Sequence, residues 1–173
     1  MRVIYWNVAC FIIALVFFYQ YSGGGFAYPN WLALSSDPNV FLFKPWTFLT
    51  YAFFHASFWH LLFNMMVLNF ASNLFLTFFT QKQYLGLYIL GAIFSGVVFA
   101  LSFYFSNVAG SIVGASAAIM VILVAVTTYQ PLMGVRLMFF GNVKLWHITA
   151  VILVLDLMQF RLENTGGHIS HLA

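Results

Sequence analysis

The sequence has very little charge. Charged side chains make up only 5% of its 173 residues, whereas an ordinary soluble domain carries about 25%. Hydrophobic residues make up 64% of the chain, so there is too little polar surface to face water on every side. The composition excludes an ordinary soluble protein. It predicts an integral membrane protein whose outer surface contacts membrane lipids.

Other residue types are scarce, and each scarcity excludes a class of protein. The Lys and Arg residues are scattered singly, so no basic stripe would bind nucleic acid. The single cysteine, Cys10, rules out an internal disulfide, and we expect it to fill a packing or lipid-facing position. The H-E-x-x-H string of zinc proteases is missing. Asp37, in a predicted loop, and Asp156 do not supply the facing carboxylates of an aspartyl protease. Because the apolar segments show no internal repeat, a small transporter is disfavoured. We also predict that the protein binds neither a metal nor a cofactor.

Long apolar segments follow one another along the chain, and a helix needs about 20 apolar residues to cross a bilayer. After a loop at Arg161–Thr165, a sixth helix begins at Gly166 and stops with the sequence at Ala173. We therefore predict an all-α membrane protein with a single domain over residues 1–173. Its fold is a bundle of six transmembrane helices, the sixth truncated at the C-terminus. The first five predicted spans are Val3–Tyr21, Phe58–Phe79, Tyr84–Phe105, Ile112–Tyr129 and Val143–Met158.

The connections between the spans predict how the bundle is oriented. Residues Phe26–Trp46 mix aromatic side chains with prolines, which favours a structured loop at the membrane interface. A short loop is predicted around Pro131–Lys144. Basic residues are in excess on the cytoplasmic side of multi-pass proteins, which here predicts a cytoplasmic N-terminus. That orientation places Arg2, Lys82, Arg136 and Lys144 inside, and Lys44 and Arg161 outside.

A few polar side chains fall inside the predicted spans, where they are costly and mark functional sites. His60 and Asn64 are four residues apart, so they share one helix face. Ser116 has small neighbours, which allow another helix to approach closely. His168 and His171 belong to the sixth helix. We expect His55, His147 and Asp156 to be structural, packing or interface residues.

These residues could form a nucleophilic site near the outer face of the membrane. A serine becomes nucleophilic when a histidine accepts its proton and other donors stabilise the developing oxyanion. Ser116 would attack, a histidine of the sixth helix would be the base, and His60 and Asn64 would donate to the oxyanion. The simpler interpretation of Ser116 is a hydroxyl that bonds back to its own helix backbone.

Three strings in this order resemble the rhomboid family of intramembrane serine proteases. They are HASFWHLLFNM from His55, GASA from Gly114, and GGHISHL from Gly166. The resemblance implies a six-helix bundle with a water-filled cavity open to the outside. It implies a Ser-His dyad without a third acidic member, which cleaves transmembrane protein substrates near the outer membrane face. The stretch Met138–Lys144 looks like bacterial members, which implies a multi-pass protein of the bacterial inner membrane.

The resemblance also implies a role for each matched residue. Ser116 matches the nucleophile, His60 and Asn64 match the oxyanion-stabilising pair, and His55 matches a histidine that supports the loop. The base of the family is followed by small residues that let the sixth helix approach the fourth. This pattern and the depth along the helix favour His171 as the general base, with His168 as the alternative, since spacing alone does not choose.

The chain departs from the family pattern in three places. Ala117 replaces the glycine that usually follows the serine, and Thr47 replaces the arginine that usually follows the tryptophan at position 46. The glycine repeat after the catalytic histidine would lie beyond Ala173. An alternative function is a catalytically inactive rhomboid-like protein that binds membrane clients, but such proteins lose the nucleophile or the base, whereas Ser116 and both candidate histidines are present here.

Overall fold

The computed structural model describes residues 2–20, 25–106, 110–137 and 141–169, and these residues are mostly helical. The chain divides into two compact units, Met1–Ile122 and Leu123–Ala173. The first unit contains most of the predicted site.

The first unit begins with helix α1, Arg2–Phe17, and a short hairpin. Strand β1, Tyr19–Gln20, pairs antiparallel with β2, Gly25–Phe26. The first predicted span therefore ends too late, because the chain leaves the helix before Tyr19. The rings of Tyr19 and Phe26 meet edge to face at 5.3 Å across the hairpin. Such an aromatic cross-strand pair stabilises the turn.

The segment that leads to the next long helix is structured, as the sequence predicted. It contains β3 (Leu34–Ser35), α2 (Pro38–Phe41), α3 (Thr47–Thr50) and a 3-10 turn (Tyr51–Phe53). Asp37 caps α2, since its side chain accepts a hydrogen bond from the Asn39 amide. Two side chains tie the ends of the segment together. The Trp46 indole donates to the Trp31 carbonyl, and the Thr50 hydroxyl donates to the Leu32 carbonyl, both at 2.9 Å.

Two long helices follow, α4 (Phe58–Phe78) and α5 (Gln81–Ser106), close to the predicted spans. Ser57 caps α4 by accepting from the His60 amide. Thr80 and Gln83 form a capping box at the start of α5, because the backbone N–H of each donates to a side-chain oxygen of the other. Among the described residues, Phe58–Phe78 and Gln81–Ser102 are long and apolar enough to cross a membrane.

The helix α6, Ser116–Tyr129, begins four residues later than predicted and runs from the first unit into the second. Ile112 is not helical, because it lies in strand β4 (Ser111–Ile112) and pairs with Leu34. Gly114 then adopts a φ of +136°, which favours glycine and prevents an earlier helix start. Ser116 is consequently the first residue of its helix rather than a turn inside it.

The second unit contains a hairpin and a helix after the end of α6. Strand β5 (Gly134–Leu137) pairs antiparallel with β6 (Gly141–Lys144), where the sequence predicted only a loop. Helix α7, Leu145–Ile169, continues through residues 161–165, so the loop predicted there is wrong. Arg, Leu and Glu are good helix formers, and this stretch has no proline to stop the helix. In the described part of the chain, α1, α6 and Leu145–Asp156 are apolar but shorter than a span.

Candidate active site

Two histidines meet at the start of α4: His60 lies in its first turn, and His55 lies in the segment before it. His55 and His60 are both buried, and their rings meet edge to face at 5.2 Å. Tyr28 fixes the backbone at this point, because its hydroxyl donates to the His55 carbonyl at 2.7 Å. Burial raises the pKa of Tyr28 to about 12, so the phenol keeps the proton that it donates.

His55 is held in a neutral form. Among the residues that the structure describes, neither of its ring nitrogens has a hydrogen-bond partner in good geometry. The pKa of His55 is lowered to about 3, mainly by burial and further by the neighbouring His60, while the Phe53 backbone offsets only part of the shift. A neutral, fully buried imidazole packed against the ring of His60 suits the structural role that the sequence predicted for His55.

His60 lies against the backbone that precedes Ser116. A Cβ atom placed on Gly114 would be 3.0 Å from both Cε1 and Nε2 of the His60 ring. Such a contact is tighter than nearly all real Cβ contacts, so any other residue at position 114 would require the imidazole to move by a few tenths of an ångström. The His60 ring of α4 therefore lies beside Gly114, which precedes the predicted nucleophile, Ser116, by two positions.

Asn64 lies one turn further along α4 and is also buried. Its Nδ2 donates to the His60 carbonyl at 2.8 Å, which uses one of the two amide hydrogens that the side chain carries. His60 and Asn64 therefore occupy the same buried side of α4, as the four-residue spacing predicted.

Ser116 is half-buried at the N-terminus of α6, next to the fully buried Ala115. The first amides of a helix have no partner within that helix. They lie at the positive end of the helix dipole, which attracts negative charge. This position suits a serine whose own N–H would face a developing oxyanion.

Tyr51 connects this backbone to the rest of the first unit, and the sequence analysis did not find it. Its carbonyl accepts a hydrogen bond from the Gly114 amide at 2.9 Å. Its side-chain hydroxyl donates to the Ala92 carbonyl of α5, also at 2.9 Å. Tyr88 of α5 bonds in the opposite direction, since its hydroxyl donates to the Ala52 carbonyl at 3.0 Å. A tyrosine in an apolar segment carries no sequence signal that separates this role from ordinary packing.

Small residues let α5 and α6 approach closely beside the site. A Cβ atom on Gly91 would be 3.0 Å from the Cβ of Val121. Close contact through glycine is a common way to pack helices in membranes. This packing holds the first turns of α6 against α5.

The other residues singled out from the sequence belong to other segments of the chain. His168 falls within the backbone of α7, and His171 lies outside the described residues. His147 is exposed beside Trp146, and Asp156 is half-buried. Cys10 is half-buried against Ala14, Leu32 and Phe54, as a packing residue would be. In the described part of the chain, no group of three or more His, Cys, Asp or Glu side chains could hold a metal ion.

A known protein family matches most of the chain. The family model for the Rhomboid domain matches residues 42–173, about three quarters of the chain. The chain therefore belongs to the rhomboid family, and the resemblance identified from its motifs is confirmed. Rhomboids are typically intramembrane serine proteases, and the two long apolar helices agree with a membrane protein. Comparison with curated proteins gives no significant match.

Proposed function

We propose that this protein is an intramembrane serine endopeptidase that cleaves transmembrane segments of other membrane proteins near the outer membrane face. The observation that carries the proposal is the contact between the His60 ring and Gly114, two residues before Ser116. A buried polar side chain is costly in an apolar bundle, and a histidine that reaches the start of a serine-bearing helix suits an oxyanion site.

The proposed reaction uses a Ser116–His171 dyad. His171 takes the proton from the Ser116 hydroxyl while the oxygen attacks the carbonyl carbon of the scissile peptide bond. The Ser116 amide and the side chains of His60 and Asn64 stabilise the oxyanion that forms. The proton then passes to the leaving amine, and water hydrolyses the acyl-enzyme with the same histidine as base. His168 is the alternative base.

We further propose a multi-pass protein of the bacterial inner membrane with a cytoplasmic N-terminus. The exposed side chains of α4 and α5 are mostly apolar, as lipid contact requires; they include Trp59, Phe63, Met66, Leu90 and Phe94. Orientation is tested with single cysteines in a Cys10→Ala background, at the exposed positions Ser111 and Gln81. An impermeant thiol reagent should label the cysteine at position 111 in intact cells and spare that at 81. The opposite labelling would refute the orientation.

The activity itself is tested by reconstituting the full chain with a transmembrane substrate in lipid vesicles. Cleavage should occur with the wild type and vanish in Ser116→Ala. A matched control is Ser102→Ala, because Ser102 is an exposed serine of α5 whose hydroxyl donates to the Val98 carbonyl of its own helix. Cleavage that persists in Ser116→Ala would refute the proposed nucleophile. Binding of the substrate without cleavage by the wild type would instead support an inactive, client-binding relative.

A further inference from the structure

The 3-10 turn before α4 is attached to the site and to α5 through the same residue. Tyr51 is almost completely buried, with 1% of its surface exposed. Its backbone carbonyl holds the Gly114 amide, while its hydroxyl holds the Ala92 carbonyl. One residue therefore links α5 to the glycine that the His60 ring contacts.

The surface of α5 is shaped to receive this ring. A Cβ atom on Gly96 would be 3.3 Å from Cε1 of Tyr51, and closer still to Leu34 and Phe48. Gly96 follows Ala92 by one helical turn, so the ring lies across two small residues and its hydroxyl reaches the carbonyl at the far one. A larger residue at position 96 would press on this ring, as well as on Leu34 and Phe48, and so should weaken the hydrogen bond of the Tyr51 hydroxyl.

We propose that Tyr51 is a positioning residue for the proposed reaction: its hydroxyl bond to Ala92 fixes the 3-10 turn, whose carbonyl holds Gly114 and so sets where the Ser116 amide points. Tyr51 does not touch the reacting atoms. It acts through the backbone of residues 114–116. This backbone must hold the Ser116 amide so that it and the His60 ring both point at the same oxyanion. This inference rests on the proposed function.

The variant that isolates this role is Tyr51→Phe, which removes only the hydroxyl. The variant should fold, because a carbonyl within α5 has a second lone pair and retains its helical hydrogen bond. We expect kcat to fall by roughly three- to tenfold with KM unchanged, which corresponds to the loss of about one hydrogen bond. The rate constant for labelling by a fluorophosphonate should fall by the same factor. It is measured per labelled site, that is, only for the molecules that finally become labelled.

Tyr84→Phe is the matched control. Tyr84 is another buried tyrosine whose hydroxyl is hydrogen-bonded, here to the Ser72 hydroxyl at 2.8 Å, and it makes no bond to Gly114 or to the 3-10 turn. A general loss of stability would lower the thermal midpoint and the final extent of labelling in both variants. A positioning role lowers the rate constant per labelled site in Tyr51→Phe alone.

Amide exchange provides a readout that does not need activity. The Gly114 amide should exchange faster in Tyr51→Phe than in the wild type or in Tyr84→Phe, and Gly96→Ala should reproduce both effects by displacing the ring. Unchanged exchange and unchanged rate constants per site in Tyr51→Phe and Gly96→Ala would overturn the inference. A wild type that is never labelled would refute the proposed function instead, and the exchange rates would still decide whether Tyr51 holds this backbone.

Discussion

The imidazole of His60 lies beside the backbone of Gly114, in the space that a side chain at position 114 would enter. Because a Cβ atom at position 114 would be 3.0 Å from two atoms of the ring, the glycine is required by the histidine as well as by its own φ of +136°. The same backbone segment begins the helix that carries Ser116.

Gly114→Ala should therefore reduce proteolysis by at least about tenfold. A non-glycine residue at this φ costs on the order of 1–3 kcal/mol, and the added methyl group must push the His60 ring away. The comparison is Gly86→Ala, since a Cβ atom at Gly86 of α5 meets nothing within 4 Å. Equal cleavage rates for both alanine variants and the wild type would show that the contact has no part in catalysis.

His60→Ala and Asn64→Ala should each lower kcat strongly, because removal of one oxyanion donor typically costs about 10²–10³-fold in turnover. Substrate binding should change little. Asn73→Ala provides the control, because Asn73 is an exposed asparagine on the same helix. Cleavage assays with purified variants in vesicles decide the matter, and wild-type turnover in both site variants would mean that the pair is only structural.

His55 should make the protein less stable in acid. Its pKa is about 3 in the folded protein and 6.5 when unfolded, so between these values the unfolded chain binds more protons. Stability contributed by neutral His55 is then present above pH 6.5 and is lost as the pH falls toward 3. The slope is at most about 1.4 kcal/mol per pH unit.

The variant that tests this account is His55→Phe, which keeps an aromatic ring but does not titrate. We expect it to fold at neutral pH and to show a smaller loss of thermal stability between pH 6.5 and 4 than the wild type. His147→Phe, at an exposed histidine of α7, should leave the acid dependence unchanged. An acid dependence identical in His55→Phe and the wild type would contradict the assignment.

The contact between Gly91 and Val121 should limit how closely α5 and α6 pack. Gly91→Ala should destabilise the protein, because overpacking costs about 1–3 kcal/mol and exceeds the gain in helix propensity of up to about 1 kcal/mol. Val121→Ala keeps the Cβ at 3.0 Å but removes the two Cγ atoms, which would lie 3.1 and 3.2 Å from the new Cβ. It should therefore relieve part of the clash, and the double variant should be less destabilised than the two single effects added together. Unfolding measurements that show simple additivity would rule out this packing contact.

The long helices could be predicted from the sequence because their signals are local. Apolar length, the Ser57 cap and the Thr80–Gln83 capping box all lie within or next to α4 and α5. The start of α6 could not be predicted this way. Ile112 is apolar enough for a helix, and only its pairing with the distant Leu34 keeps it extended.

The residues of the candidate site likewise divide into those with a local sequence signal and one whose role depends on distant parts of the chain. His60 and Asn64 were found because polar side chains are costly in an apolar span, and Ser116 was found through its small neighbours. Tyr51 was missed because its role depends on two backbone groups, those of Ala92 and Gly114, that become its neighbours only in the folded chain.

The most direct test of the account is the site at which a fluorophosphonate modifies the full-length protein in membranes. Mass spectrometry of the labelled chain should place one adduct on Ser116. Labelling should be lost in Ser116→Ala and His171→Ala, and His168→Ala should keep a measurable fraction. Loss in His168→Ala with retention in His171→Ala would move the base to His168, whereas an unlabelled Ser116 in the wild type would contradict the proposed serine protease.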